Sequence, residues 1–158
     1  MDGKSHCLIL LKPDALERGL SERILDRFLA VGFSVEAVTF RTIDRDLILA
    51  HYADAIRRVG PELEERVVNS YVGRRTLPLV LGLPGEGATA KARSLLGATD
   101  PSRAEKGTIR GDFGIDSIEA AMAASRVCEN LVHCSDSPES FRYEMGLWFE
   151  PETCGRFV

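Results

Sequence analysis

Cys7-Leu8-Ile9-Leu10-Leu11 is an unbroken apolar run, closed at once by Lys12-Pro13-Asp14. Five apolar residues without alternation suit a strand buried on both faces, and the Pro-Asp pair marks the turn that ends it. Such a strand needs cover on both sides, and the sequence beyond it supplies the material. Ser21 and Glu22 open an amphipathic pattern in which Ile24, Leu25, Phe28 and Leu29 recur at helical spacing, ended by Gly32. Phe33 to Ile43 alternates as one long strand. Asp46 to Ile56 reads as a helix with Leu47, Ile48, Tyr52 and Ile56 on its apolar side, and Pro61 starts another that runs to Val72.

Leu77 to Leu83 is a third apolar strand, stopped by Pro84-Gly85-Glu86-Gly87. A helix from Thr89 to Leu96 ends at Gly97, and a polar segment runs from Ala98 to Gly114. Asn130 to His133 forms the fourth strand and Pro138 to Trp148 the closing helix. The order is β-α-β-α-α-β-α-loop-β-α. Helices between strands allow a parallel doubly-wound sheet, whereas four strands in a chain of this size suit a split β-α-β-β-α-β sheet. The pattern alone leaves both open.

At 158 residues, 44% hydrophobic and 28% charged, the chain suits one domain spanning 1–158 and excludes intrinsic disorder. No apolar run approaches a membrane span. Met1-Asp2-Gly3-Lys4 leads into the first strand without a signal-type segment, so a cytoplasmic protein is expected. The net charge of −4 argues against a general nucleic-acid coat. Residues 91–110 nevertheless hold Lys91, Arg93, Arg103, Lys106 and Arg110 against Asp100 and Glu105, a local cationic stretch of the kind a small phosphate ligand needs. Cys7, Cys128, Cys134 and Cys154 show no metal-ribbon spacing. His133 and Cys134, adjacent on a strand, point to opposite faces, so reduced and mostly buried thiols are expected.

Gly82-Leu-Pro-Gly85-Glu-Gly87 matches neither a P-loop nor a dinucleotide fingerprint, so phosphate handling must rest on discrete Lys and Arg side chains. Asn130-Leu-Val-His133-Cys-Ser-Asp-Ser137 brings a histidine to the end of an apolar strand beside hydroxyls and a carboxylate. Together with Lys12-Pro-Asp-Ala-Leu-Glu-Arg-Gly19, Leu96-Gly-Ala-Thr-Asp-Pro101 and Gly107-Thr-Ile-Arg-Gly-Asp112, it resembles the nucleoside diphosphate kinase family across residues 6 to 151.

That resemblance implies an α+β fold, the ferredoxin-like β-α-β-β-α-β sandwich with a four-stranded antiparallel sheet and added helices. It implies transfer of a γ-phosphate from a nucleoside triphosphate to a nucleoside diphosphate by a ping-pong route through a phosphohistidine at His133. Neutral imidazole is a competent nucleophile near pH 7, and the phosphoimidazole stays reactive. By the same resemblance Glu144 orients the imidazole, Ser135 supports that glutamate or the moving phosphate, and Tyr52 stands beside the histidine. Lys12, Arg93, Thr99 and Arg110 hold the phosphates and Asn130 lies near the ribose. Mg²⁺ is carried mainly by the nucleotide phosphates. The partners implied are nucleoside di- and triphosphates and further copies of the chain, with no membrane and no specific nucleic acid. Asp136 reads as a turn brace.

Three departures from the family pattern stand out. Cys134 replaces the usual glycine after the histidine, and its side chain either joins the site or turns into apolar packing. Arg57 to Leu63 lacks the aromatic that stacks on the base. A helical insertion lies at about 114–129, where Asp116-Ser-Ile-Glu119 has capping-box spacing and Ile118 and Met122 form an apolar stripe expected to pack on the pocket mouth or on another subunit. Two alternatives to the active enzyme are a catalytically weak nucleotide-binding regulator and a histidine phosphocarrier that phosphorylates proteins.

Overall fold

A computed structural model describes residues 3–158; Met1 and Asp2 of the N-terminal stretch lie outside it. In chain order the strands and α-helices are β1 Lys4–Leu11, α1 Pro13–Glu17, α2 Ser21–Leu29, β2 Ser34–Val38, β3 Arg41–Thr42, α3 Arg45–His51, α4 Ala53–Val59 and α5 Pro61–Tyr71. They continue with β4 Arg75–Pro84, α6 Ala88–Leu96, α7 Ile109–Phe113, α8 Ile118–Ala123, β5 Val132–Cys134, α9 Pro138–Trp148 and α10 Pro151–Cys154. The sheet runs β2-β4-β1-β5, with β3 a short fifth strand on β4, and every strand pair is antiparallel. This is the ferredoxin-like α+β arrangement, and the parallel alternative is excluded.

β1 lies between β4 and β5, and its apolar run serves two cores. Cys7, Ile9 and Leu11 join Ile24 and Phe28 of α2 and Ala88, Ala92 and Leu96 of α6. Leu8 and Leu10 join Ile48 of α3, Val67 of α5 and Met145 and Trp148 of α9. Each buried leucine or isoleucine of β1 contributes roughly 1.5–3 kcal/mol by leaving water. A polar residue at any of Leu8 to Leu11 would therefore unsettle one of the two layers.

The β1–β5 register decides which side of the sheet carries the chemistry. His133 pairs with Leu10 and Cys134 with Ile9, and paired residues share a face. His133 thus faces the α3–α9 layer while Cys134, 3% exposed, sinks into the opposite core with Cys7. Of the two placements the sequence allows for Cys134, the fold takes the apolar one.

Several elements differ from expectation in their limits. The strand read over Phe33 to Ile43 carries a bulge between Val35 and Ala37 within β2, and it stops between β2 and β3 opposite Pro78, which accepts the Thr39 N–H at 3.1 Å but has no N–H to return. The helix read over Asp46 to Ile56 divides at Tyr52, where backbone angles of φ −94° and ψ 8° end α3 and start α4. The last strand begins at Val132 rather than Asn130, since Leu131 leaves the extended region at φ +74°, although its carbonyl still accepts the Lys12 N–H at 2.9 Å.

In the insertion, α8 is capped by Ser117, whose Oγ accepts the Ala120 N–H. Asp116, expected as the cap, instead accepts from the Arg126 guanidinium and the Glu129 N–H. Ala121 turns inward, and Ile118 and Met122 are exposed. The stripe expected to pack lies against no described residue's core.

Candidate active site

A cleft of about 880 Å³ opens on the α3–α9 side of β5, lined by Lys12, Tyr52, Arg93, Thr99, Arg110, Asn130, His133 and Glu144 among others. Every residue singled out from the sequence for the site borders it except Ser135, which lies 1% exposed just beneath. No residue between 114 and 129 lines it. The insertion packs instead against the end of α5, where Ser70 Oγ accepts the Val127 N–H at 3.0 Å.

His133 sits with its side chain 32% exposed, and its Nε2 is bonded to Glu144 Oε1. The other Glu144 oxygen accepts from the Ser135 hydroxyl. Because Nε2 is committed to a carboxylate, the proton resides there and Nδ1 carries the lone pair toward the cleft. Glu144 is presented by α9, whose first turn is set by Pro138 and by Ser137, the cap that accepts the Ser140 N–H at 3.1 Å. Asp136 accepts from Ser140 Oγ at 2.8 Å, which lowers its pKa and makes it the brace expected of it.

The cations are pre-positioned by backbone carbonyls. Arg110 donates to Asn130 O at 3.1 Å, Gly97 O at 3.1 Å and Val132 O at 2.6 Å. Arg93 donates to Cys134 O at 3.2 Å. Burial first, and Arg93 second, push the Arg110 pKa down to about 10; the guanidinium is still charged at neutral pH, and an anion between the two would relieve both costs. Gly97 holds φ +81°, and a Cβ there would meet Thr108 Oγ1 at 2.5 Å. Thr108 caps α7 by accepting the Gly111 N–H, so the glycine lets α6 and α7 close around Arg110.

Lys12 Nζ donates to Asn130 Oδ1 at 2.9 Å and to Cys128 O at 3.2 Å. Asn130 Nδ2 donates to Thr99 O at 3.0 Å, joining three of the expected ligands in one chain of bonds. Tyr52 stands beside His51, with ring centroids 5.2 Å apart, and stacks on Tyr71. Its hydroxyl lies 3.1 Å from that of Tyr71, and burial, with Tyr71, raises its pKa so that it stays protonated.

Three further residues shape the site that the motifs did not single out. Asp14, 4% exposed, accepts the Leu131 N–H at 3.1 Å and pins the left-handed residue one position ahead of β5. Burial raises its pKa, offset in part by Lys12. His51 lies against the His133 ring, centroids 4.5 Å apart, and Trp148 donates its indole N–H to His51 Nδ1 at 3.1 Å. Trp148 is one helical turn from Glu144, a spacing that could have flagged it.

His51, His133 and Glu144 are the one group of three potential metal ligands among the described residues. Two of its donors are nitrogens, unlike the all-oxygen set that Mg²⁺ prefers.

The comparisons agree with this geometry. The sequence matches the family model for nucleoside diphosphate kinase over residues 5–154. It is 43% identical over 144 residues to the nucleoside diphosphate kinase of Nocardioides sp., covering 90% of this chain and 94% of that protein. It is 39% identical to the Thermococcus kodakarensis enzyme, covering 92% of this chain and 76% of that protein. Among solved structures, the Borrelia burgdorferi nucleoside-diphosphate kinase, with bound vanadate and ADP as a transition-state mimic, superposes with a TM-score of 0.86 at 26% identity, covering 95% of this chain and 89% of that one. An NDP kinase from Pyrobaculum aerophilum gives 0.82 at 30% identity, covering 94% and 97%. By its fold, its cleft and these relatives, the chain belongs to the nucleoside diphosphate kinase family.

Proposed function

We propose that this chain moves the γ-phosphate of a nucleoside triphosphate to a nucleoside diphosphate through Nδ1 of His133. The observation that carries the reading is the pairing of His133 Nε2 with buried Glu144, which aims Nδ1 into a cleft containing Lys12, Arg93 and Arg110. The Nδ1 lone pair attacks the γ-phosphorus, the bond from phosphorus to the bridging oxygen breaks, and the diphosphate departs with that electron pair. Nε2–H stays on the ring, where the Glu144 carboxylate offsets the positive charge that develops as the P–N bond forms. Lys12, Arg93 and Arg110 offset the charge spread over the equatorial oxygens, which is most of what phosphoryl transfer asks of a protein. A terminal oxygen of a second diphosphate then attacks the phosphorus and frees His133.

Ser135 holds the second oxygen of Glu144, the Thr99 hydroxyl and Asn130 amide serve the phosphate and ribose, and Tyr52 walls the pocket beside the nucleophile. Mg²⁺ accompanying the nucleotide would add charge neutralisation on the phosphates beside that of Lys12, Arg93 and Arg110. α4 and the start of α5 carry no aromatic, and α4 presents Ala53, Asp54, Ala55, Arg57 and Arg58 to the cleft, so the base is held without ring stacking from this stretch. The chain acts as one catalytic domain, in the cytoplasm and as a homo-oligomer; among the described residues no helix is long and apolar enough to cross a membrane.

Brief incubation with γ-labelled ATP followed by a GDP chase tests the reading. Label on the protein that passes to GDP supports it. A protein that takes no label is a regulator, and one whose label GDP cannot remove is a phosphocarrier; either result overturns it.

A further inference from the structure

His51 is held in a way that the phosphotransfer chemistry above does not use. Its side chain is 6% exposed, and its Nδ1 lies 3.5 Å from Glu144 Oε1, the same oxygen that receives His133. A histidine so placed would ordinarily compete for that carboxylate. Here Trp148 Nε1–H points at Nδ1 from 3.1 Å. Indole nitrogen only donates, so Nδ1 must be the unprotonated nitrogen of a neutral ring and the proton must sit on Nε2. In that tautomer His51 has no hydrogen to offer Glu144.

We propose that His51 is a positioning residue for the nucleophile: fixed by Trp148 as the neutral Nε2–H tautomer, it walls the His133 ring edge-on while leaving Glu144 to His133 and Ser135 alone. The inference rests on the role given to His133 above. The ring planes meet at 80° with centroids 4.5 Å apart, so rotation of the His133 ring away from the Glu144 axis runs into His51. Glu144 fixes one end of the imidazole and His51 fixes its plane. Nδ1 then has one direction in which to attack, and orientation of that kind is a large part of catalytic effect.

The groups facing His51 are Glu144 from α9, His133 from β5, Lys12 beyond β1 and its neighbour Tyr52. Burial foremost, then His133 and Lys12, hold its pKa well below that of an ordinary histidine. Protonated, it would put a cation beside the nucleophile and a rival donor on Glu144, so the arrangement works only with the ring neutral.

The test uses full-length protein with ¹⁵N-labelled histidine. In the wild type, His51 should stay neutral and Nε2–H from pH 6 to 8 while His133 reports phosphorylation by ATP. Trp148→Phe removes the donor, so His51 should move toward the Nδ1–H tautomer. Phosphoenzyme formation by quenched flow should then slow about tenfold, what about 1.4 kcal/mol in the barrier amounts to, with KM unchanged. A wild-type His51 that is cationic or Nδ1–H near pH 7 overturns the proposal. So does a Trp148→Phe enzyme whose tautomer has switched while its rate has not. If that variant fails to fold, the wild-type spectrum decides. Failure of His133 to take phosphate at all defeats the functional reading instead, and the two results are separate.

Discussion

Glu144→Gln is the most informative single substitution in this site. Glu144 is 5% exposed and its two oxygens serve His133 Nε2 and Ser135 Oγ. Glutamine has the same shape, so the packing of α9 on β1 should survive. The chemistry should not. The carboxamide oxygen can keep the Ser135 hydroxyl, which turns its NH₂ toward His133 Nε2. A donor there favours the tautomer with the proton on Nδ1, the nitrogen that must attack. The lost bond is charge-assisted, and such bonds contribute roughly 1.5–3 kcal/mol. If that whole amount is realised in the transition state, phosphorylation slows by about 10- to 150-fold. Nucleotide contacts are untouched, so KM for ATP should stay within about twofold. Stopped-flow and steady-state rates, with a thermal melt as control, measure all three. A variant with parental kcat, or one that loses only KM, would refute the argument that Glu144 sets the tautomer.

Three other outcomes are expected. Because the folded state resists protonating His51 while the unfolded chain takes up that proton near the usual pKa of about 6.5, unfolding is favoured by proton uptake as pH falls below that value. Stability should decline there by at most about 1.4 kcal/mol per pH unit from this group, and urea melts of His51→Asn should be flatter between pH 7 and 5 than those of the parent; equal slopes would count against it. Cys134, buried with Cys7, whose thiol pKa is raised first by Cys134 and then by burial, should react with a thiol reagent only on the timescale of unfolding, with activity retained meanwhile; prompt inactivation would place it in the site after all. Asp116→Ala releases both Arg126 and the Glu129 N–H, one residue ahead of Asn130, so KM should rise several-fold with kcat held, and an unchanged KM would show the insertion to be uncoupled from the cleft.

Much of this arrangement was readable from residue order. Cys7 to Leu11 announced a strand buried on both faces because nothing polar interrupts it, and the motifs around Lys12, Arg110 and His133 pointed to side chains that the fold does bring to one cleft. What escaped depended on long-range geometry. The bulge in β2 and the gap between β2 and β3 follow from pairing with β4, where Pro78 faces the gap, and no local pattern in Phe33 to Ile43 records either. The face of Cys134 follows from its pairing with Ile9, a residue 125 positions away in sequence. Asp116 reads as a helix cap in the sequence because its true partners, Arg126 and the Glu129 N–H, lie beyond the helix that it precedes. His51 and Trp148 look like ordinary core residues until α3 and α9 meet over β5.

The account depends most on which atom of which residue accepts the phosphate. Phosphorus–nitrogen coupling in ¹⁵N-histidine-labelled protein after brief exposure to ATP answers that in one spectrum. The geometry predicts phosphorus bonded to Nδ1 of His133, with the proton retained on Nε2 and the signal lost on addition of GDP. Phosphorus on Nε2, on another histidine or on an oxygen would contradict the central claim.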